Sequence, residues 1–313
     1  MQIYQEAEKY IKDIYWSETH DPHSKLNIPK LIEERLVKDN KEKDPNYFEH
    51  REGVVHVSSL YRCLRGVVHE MLGAKKDNEM EPRKLGIFKA GNLFEDFIIE
   101  ALGDRVVHAQ REYTYVYKNL TLVGRSDYTV NDDGVMRVGE NKSVHSDSFW
   151  MREKEGTLVA WHNQIQLQVY MWLERILNGN NWDGVFSYIS KDDCTVIGAP
   201  VRFNQHIIDE VVIPALDIIN EAYTSKNPDA APLPPMVIFS EAKHQYQKNW
   251  LSTYCEFHSL CAGAGWILEA TNLVTQRNKE LKKAMPAPVK KEKAKISVAD
   301  KVEPPLDEIE VEN

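Results

Sequence analysis

With 313 residues and a formal net charge of −9 at neutral pH, the chain is acidic and long enough for one large domain or two small ones. Hydrophobic residues make up 42% of it, an ordinary share for a globular protein, and no apolar run is long enough to cross a bilayer. The negative balance argues against nonspecific coating of nucleic acid, yet it leaves room for a local basic groove beside clustered carboxylates. The N-terminus lacks the basic-then-apolar plan of a signal peptide, and the four cysteines form no regular framework. Both features point to a reducing, cytoplasmic setting.

Residues 1–45 read as two amphipathic helices, IYQEAEKYIKDIYW and IPKLIEERLVK, separated by the breaker Asp21-Pro22. Next, Ser58 or Ser59 can cap a helix running to about Leu72, with Gly73 as its stop. A further helix from near Lys84 to Leu102 places Ile87, Ala90, Phe94, Ile98 and Ala101 along one stripe, with Gly91 one turn before Glu95. REYTYVYKNLTL then supplies a strand and a turn.

The stretch from Leu122 to Lys142 reads as two strands joined by the two-residue turn Asp133-Gly134. A two-residue loop sets Asp132 against Val135, and hence Asp127 against Glu140 and Arg125 against Lys142. Residues two apart share one face of a strand, so Glu140 and Lys142 point the same way. Cross-strand neighbours have Cβ atoms roughly 5 Å apart. The hairpin therefore gathers two carboxylates and an ammonium group. Carboxylates so close repel unless a cation lies between them, and hard oxygen ligands suit Mg²⁺ or Mn²⁺. The alternative reading of these residues is a solvated hairpin with a surface ion pair.

HSDSFWMREKEGT is an irregular link that can carry a mobile loop over the hairpin. A long helix from about Leu158 to Asn178 comes next, with Trp161, Ile165, Val169, Trp172 and Ile176 as its apolar stripe. Gln166 and Tyr170 sit side by side next to that stripe. WDGVFSYISKDD and CTVIGAPVRF give two more strands, carrying Tyr188 and Lys191. A helix spans about Gln205 to Tyr223, and the Pro-rich NPDAAPLPP makes a rigid loop after it. From about Lys282 apolar periodicity ends: a lysine run is followed by an acidic end, the composition of a disordered tail.

An acidic residue followed, after a spacer, by Glu-x-Lys on the next strand resembles the PD-(D/E)XK nuclease superfamily, here at Asp127 and Glu140-Asn141-Lys142. Its RecB-like branch, which includes phage-type, lambda-exonuclease-like and iron–sulfur CRISPR-associated nucleases, is similar at further places. Gly91-x-x-x-Glu95 matches its Gly-x-x-x-His/Glu, Gln166-x-x-x-Tyr170 matches its Gln-x-x-x-Tyr, and Ser58-x-x-x-x-Cys63-x-Arg65 matches its entry segment. The likeness covers roughly residues 55–265.

The resemblance implies an α/β fold: a central mixed sheet flanked by helices, a restriction-endonuclease-like core. It divides the chain into a helical N-terminal subdomain (1–50), a nuclease domain (51–283) and a disordered charged tail (284–313). It implies a DNA exonuclease or related nuclease of phage or bacterial replication, recombination or repair. Glu95, Asp127, Glu140 and the carbonyl of Asn141 would hold Mg²⁺ or Mn²⁺, Lys142 would assist the attacking water, and Gln166 and Tyr170 would orient the site and contact DNA. The alternative on the same fold is a non-catalytic scaffold that binds DNA ends in recombination. In relatives with an iron–sulfur cluster, Cys63 and a closing Trp-x-Cys-x-x-Cys-x-x-x-x-x-Cys supply the thiolates. Here Trp250, Cys255 and Cys261 match and Ser252 stands where a cysteine is expected, so the cluster is either degenerate or lost. The lysines of the tail would hold DNA and its acidic end would recruit a single-strand-binding or recombination partner; the other reading of the tail is a solubilising segment.

Overall fold

The computed structural model describes residues 28–42, 52–60, 62–77, 81–146, 149, 161–240, 244–249, 251, 255–261 and 266–284. The first expected helix, most of the link over the hairpin (147, 148 and 150–157), Trp250, Ser252 and the tail beyond 284 lie outside these residues.

The helices that bear on the sheet and its packing are α1 (Ile28–Glu42), α2 (Leu64–Met71), α3 (Pro82–Leu102), α4 (Trp161–Asn178) and α5 (Ile213–Thr224). The strands are β1 (Val54–His56), β2 (Val106–Tyr117), β3 (Leu120–Asp132), β4 (Val135–Val144), β5 (Asp183–Ser190) and β6 (Val196–Val201). These six form one mixed sheet in the order β1-β3-β4-β5-β6, with β2 also paired to β3. β4 and β5 run parallel, as do β1 and β3; the remaining pairs are antiparallel. The expected mixed sheet flanked by helices is therefore observed. A two-stranded sheet, β7 (Val237–Ser240) with β8 (Gln245–Lys248), and a helix α6 (Trp266–Ala284) come after the core. Sequence periodicity did not announce them.

β3 organises the sheet because it has three partners and a strand has only two edges. β2 occupies one edge along nearly its whole length, from Leu120 to Val130. On the other edge β1 pairs with Thr121, Leu122 and Val123, and β4 pairs from Tyr128 onward. Gly124, Arg125, Ser126 and Asp127 are left between the two partners. The Asp133-Gly134 turn forms as expected, with both residues at positive φ (50° and 93°) and the Gly134 N–H donating to Asn131 Oδ1. Asp132 pairs with Val135, also as expected. The ladder nevertheless stops at Tyr128 and Gly139, one step short of the expected Asp127–Glu140 pair, and the expected Arg125–Lys142 pair does not form either. Arg125 pairs with Glu112 on β2 and Lys142 with Tyr188 on β5. The strands part because β4 leaves β3 to follow β5.

Alternation along β3 also breaks at this point. Leu120 and Leu122 belong to the main core, Gly124 abuts Val57 and Tyr170, and Ser126 bonds Tyr113, all on the side of α4. Counting by twos puts Tyr128 there as well, yet Tyr128 and Val130 pack with Ile98, Phe94 and Ile189 on the side of α3. Opposite the break, Gln110 of β2 has φ 52°. A local irregularity of this kind re-aims the side chains on either side of it.

α4 is more deeply buried than a single stripe implies. Ile165, Val169 and Trp172 are buried as expected, but so are Leu167, Met171 and Leu173, whereas Ile176 is exposed. α4 therefore lies inside the molecule rather than on its surface. Its last turn is fixed by Glu174, fully buried, whose carboxylate receives Arg111 (2.6 Å), the Tyr113 hydroxyl (2.9 Å), Asn178 (3.1 Å) and Asn180 (2.9 Å). A buried carboxylate persists only with its lone pairs satisfied in this way.

α3 departs most from expectation. Ile98 is buried and Phe94 half-buried against Tyr128, but Ile87 and Ala101 are exposed, as are Phe88, Leu93 and Phe97. The helix meets the sheet through its C-terminal half and α1 through Gly86 and Leu36. The cap expected at Ser58 or Ser59 is displaced: those residues close a 3-10 turn, Val57–Ser59, and α2 starts after Cys63.

Gly139 allows the Tyr128 ring to lie flat across β4, since a Cβ there would sit 2.0 Å from Tyr128 Cε2. The Tyr128 hydroxyl is 2.7 Å from Ser187 Oγ in the interior. Gly139→Ala should therefore expel the ring and lower stability by about 1–3 kcal/mol. A urea midpoint equal to that of the wild type would refute this.

Candidate active site

The gap between β1 and β4 exposes the edge of β3, and polar groups fill it. Asp127 Oδ2 accepts the Asn141 N–H at 2.6 Å, so a side chain completes the bond that the parted ladder no longer makes. Glu140 is 1% exposed and its Oε1 receives Lys142 Nζ at 2.5 Å, while Oε2 is buried without a hydrogen-bond partner. Lys142 also reaches Gln166 Oε1 at 3.4 Å, and Gln166 Nε2 donates to the Tyr170 hydroxyl at 3.3 Å. Tyr170 in turn lies against β3 beside Gly124. A continuous polar string thus runs from Glu140 through Lys142, Gln166 and Tyr170 back to β3.

Tyr170 comes this close because position 124 is glycine: a Cβ there would lie 2.7 Å from Tyr170 Cε1 and 2.6 Å from Val57 Cγ2. The Tyr170 ring also stacks on Tyr113 at 5.6 Å. Earlier on α4, Asn163 Nδ2 donates to the Tyr188 hydroxyl at 3.0 Å, and Tyr188 is the β5 neighbour of Lys142. Lys191, at the end of β5, instead closes a backbone bond to Val144.

The electrostatics are those of crowded acids. Burial and then the neighbouring Glu140, with Glu95 adding to it, hold Asp127 protonated well above the usual carboxylate range, against the opposing pull of Lys142. Burial likewise raises Glu140, partly countered by Lys142 and reinforced by Glu95. Glu95, on α3, lies within electrostatic reach of both. Its Oε1 accepts Gln110 Nε2 at 2.9 Å, a partner that periodicity gave no reason to single out. As the side chains stand, no three His, Cys, Asp or Glu groups among the described residues are close enough to share one metal ion. Each acid oxygen that is engaged is held by a nitrogen of the chain.

Chemically the set fits a divalent cation. It offers hard oxygen donors, a buried Glu140 oxygen without a partner and carboxylates that repel one another in the absence of positive charge. The cysteines differ. Cys63, Cys255 and Cys261 are brought together from distant segments, and the thiol contact with Cys255 pulls the Cys63 pKa down while burial pushes Cys261 up to about 11. The fourth cysteine, Cys194, is exposed in the turn between β5 and β6. Among the described residues there is no fourth thiolate for a cluster that ordinarily uses four.

No family model matches the chain, and no curated protein matches it. Solved structures do resemble it at a distance. One is titled crystal structure of SSO0001, with 18% identity over 76% of this chain and 96% of that one, at a TM-score of 0.46. Another is an alkaline exonuclease, LHK-Exo, from Laribacter hongkongensis, with 15% identity over 58% of this chain and 94% of that one, at a TM-score of 0.43.

Because Asp127 and Glu140 keep their protons above the usual range near pH 4, the folded chain binds more protons than the unfolded chain as pH rises past that value. Their contribution to stability is therefore complete in acid and is lost as pH rises through the raised values. In chelator, Glu140→Gln should melt higher than wild type at neutral pH, and the advantage should vanish in acid. Parallel melting curves across pH would contradict this.

Proposed function

We propose that the chain is a divalent-cation-dependent deoxyribonuclease of PD-(D/E)XK type that hydrolyses phosphodiester bonds in replication, recombination or repair. The observation that carries the reading is the parting of β3 and β4. It leaves Asp127, Glu140 and Lys142 together at one open edge, with two carboxylates near each other in spite of their repulsion.

Glu95, Asp127, Glu140 and the backbone carbonyl of Asn141 are the groups that would hold Mg²⁺ or Mn²⁺. Bound there, such an ion would acidify a water and stabilise charge on the phosphate. Lys142, tethered to Glu140 and Gln166, directs its ammonium group toward the same place, where it can orient water and offset negative charge on phosphate oxygens. Gln166 and Tyr170 fix the lysine from the buried helix; both are buried, so their role is to orient Lys142 and not, as the resemblance implied, to touch DNA themselves. No step needs an iron–sulfur cluster. In the same reading the domain spans residues 51–283, the helical segment 1–50 elaborates it, and the charged tail 284–313 contributes DNA affinity or a docking site for a single-strand-binding or recombination protein.

Purified protein should degrade DNA with Mg²⁺ or Mn²⁺ and not in chelator. Glu140→Ala and Lys142→Ala should each lower the rate by roughly 10²–10⁴-fold with circular dichroism unchanged. Full activity in either variant overturns the assignment. Binding of DNA ends without cleavage in either metal would point to the scaffold instead.

A further inference from the structure

Among the described residues six that are not glycine have left-handed φ: Gln110, Lys118, Asp133, Cys194, Lys226 and His244. Five lie in turns or links between elements; Gln110 lies inside a strand. A long side chain gains nothing from this backbone region, which costs roughly 1–2 kcal/mol, and such strain persists where surrounding structure enforces it, often at functional sites. The place is specific. Ala109 pairs with Tyr128 and Arg111 with Ser126, so Gln110 stands across from Asp127, where the alternation of β3 breaks. From there its amide reaches α3 and donates to Glu95 at 2.9 Å.

We propose that Gln110 is a positioning residue of the cation site: the twisted β2 backbone aims its amide at Glu95 and keeps that carboxylate within electrostatic reach of Asp127 and Glu140, from where it would close onto a bound ion. The inference rests on reading those three acids as cation ligands. α3 needs such a tether because its grip on the sheet is limited to the residues around Phe94 and Ile98, with Phe88, Leu93 and Phe97 exposed. A glutamate on this helix would otherwise sample many rotamers and lose entropy each time it met an ion. Gln110 Nε2 occupies one carboxylate oxygen and leaves Oε2 for the cation. A hydrogen bond from outside that fixes a ligand in this way typically alters metal affinity by about 10–100-fold when removed.

The test measures Mn²⁺ binding by calorimetry or electron paramagnetic resonance on the full chain, without DNA, beside cleavage rates as a function of Mn²⁺. Gln110→Gly removes the amide and suits the left-handed backbone, and Gln110→Asn tolerates that backbone with a shorter reach; neither threatens folding. Both should weaken Mn²⁺ binding roughly tenfold or more and raise the Mn²⁺ needed for half-maximal cleavage, with the rate at saturating Mn²⁺ little changed. In a Glu95→Gln background the same changes should add nothing, an outcome that a general structural role would not produce. Wild-type Mn²⁺ affinity in both Gln110 variants, with Glu95→Gln impaired, defeats the tether and leaves the cation site standing. Wild-type affinity in Glu95→Gln itself defeats the reading of Glu95 as a ligand, and the tether with it.

Discussion

Like charges held together in a place with little water are the constraint on which this structure depends. Asp127 and Glu140 stand at the end of the β3–β4 ladder, both with proton affinity raised by burial, and Lys142 supplies the nearest neutralising charge. Left to itself, a chain would relieve such crowding by turning one acid to solvent. Here that escape is closed: Glu140 sits on a strand buried beneath α4, and Asp127 is bound to the Asn141 N–H. The cost of keeping the acids together is met by the hydrophobic core around α4.

The rest of the architecture can be understood as what makes that crowding possible. β1 and β4 share one edge of β3 end to end, and the four residues between them keep an open edge inside an otherwise complete sheet. An exposed edge invites pairing with other chains. Here the edge is short, and Asp127 turns its carboxylate to the Asn141 N–H of β4, which puts a polar side chain where backbone would otherwise pair. Small residues at 124 and 139 admit Tyr170 and Tyr128 from opposite faces, so the break in alternation at Asp127 is packed on both sides.

Much of this was legible in the residues themselves. The Asp133-Gly134 turn defines its register by local stereochemistry, and that register, though its ladder ends one step before them, brings Asp127 near Glu140 and Lys142. The Gln166–Tyr170 pair follows equally from helical spacing. What failed were inferences that extended a local rule past a tertiary event. Arg125 does not face Lys142, because β4 gives up β3 for β5, and no local pattern tells where a strand changes partner. The stripe drawn on α3 assumed a helix lying flat on the sheet, whereas only the surroundings of Phe94 and Ile98 touch it. Gln110 was invisible for a different reason: a glutamine in a strand carries no mark of left-handed backbone, and its bond to Glu95 joins elements whose relative placement only folding decides.

The buried Glu174 has a mechanical consequence. Its bonds to Arg111 and Tyr113 clamp α4 to β2, and separating the two would strand a carboxylate in the interior at a cost of about 3–5 kcal/mol. Gln166, Tyr170, Lys142 and the sheet therefore behave as one rigid jaw. Opposite them α3 rests on a short apolar fulcrum and is joined to that jaw by the bond from Gln110 to Glu95, so the contact that aims the carboxylate also limits how far the helix can tilt.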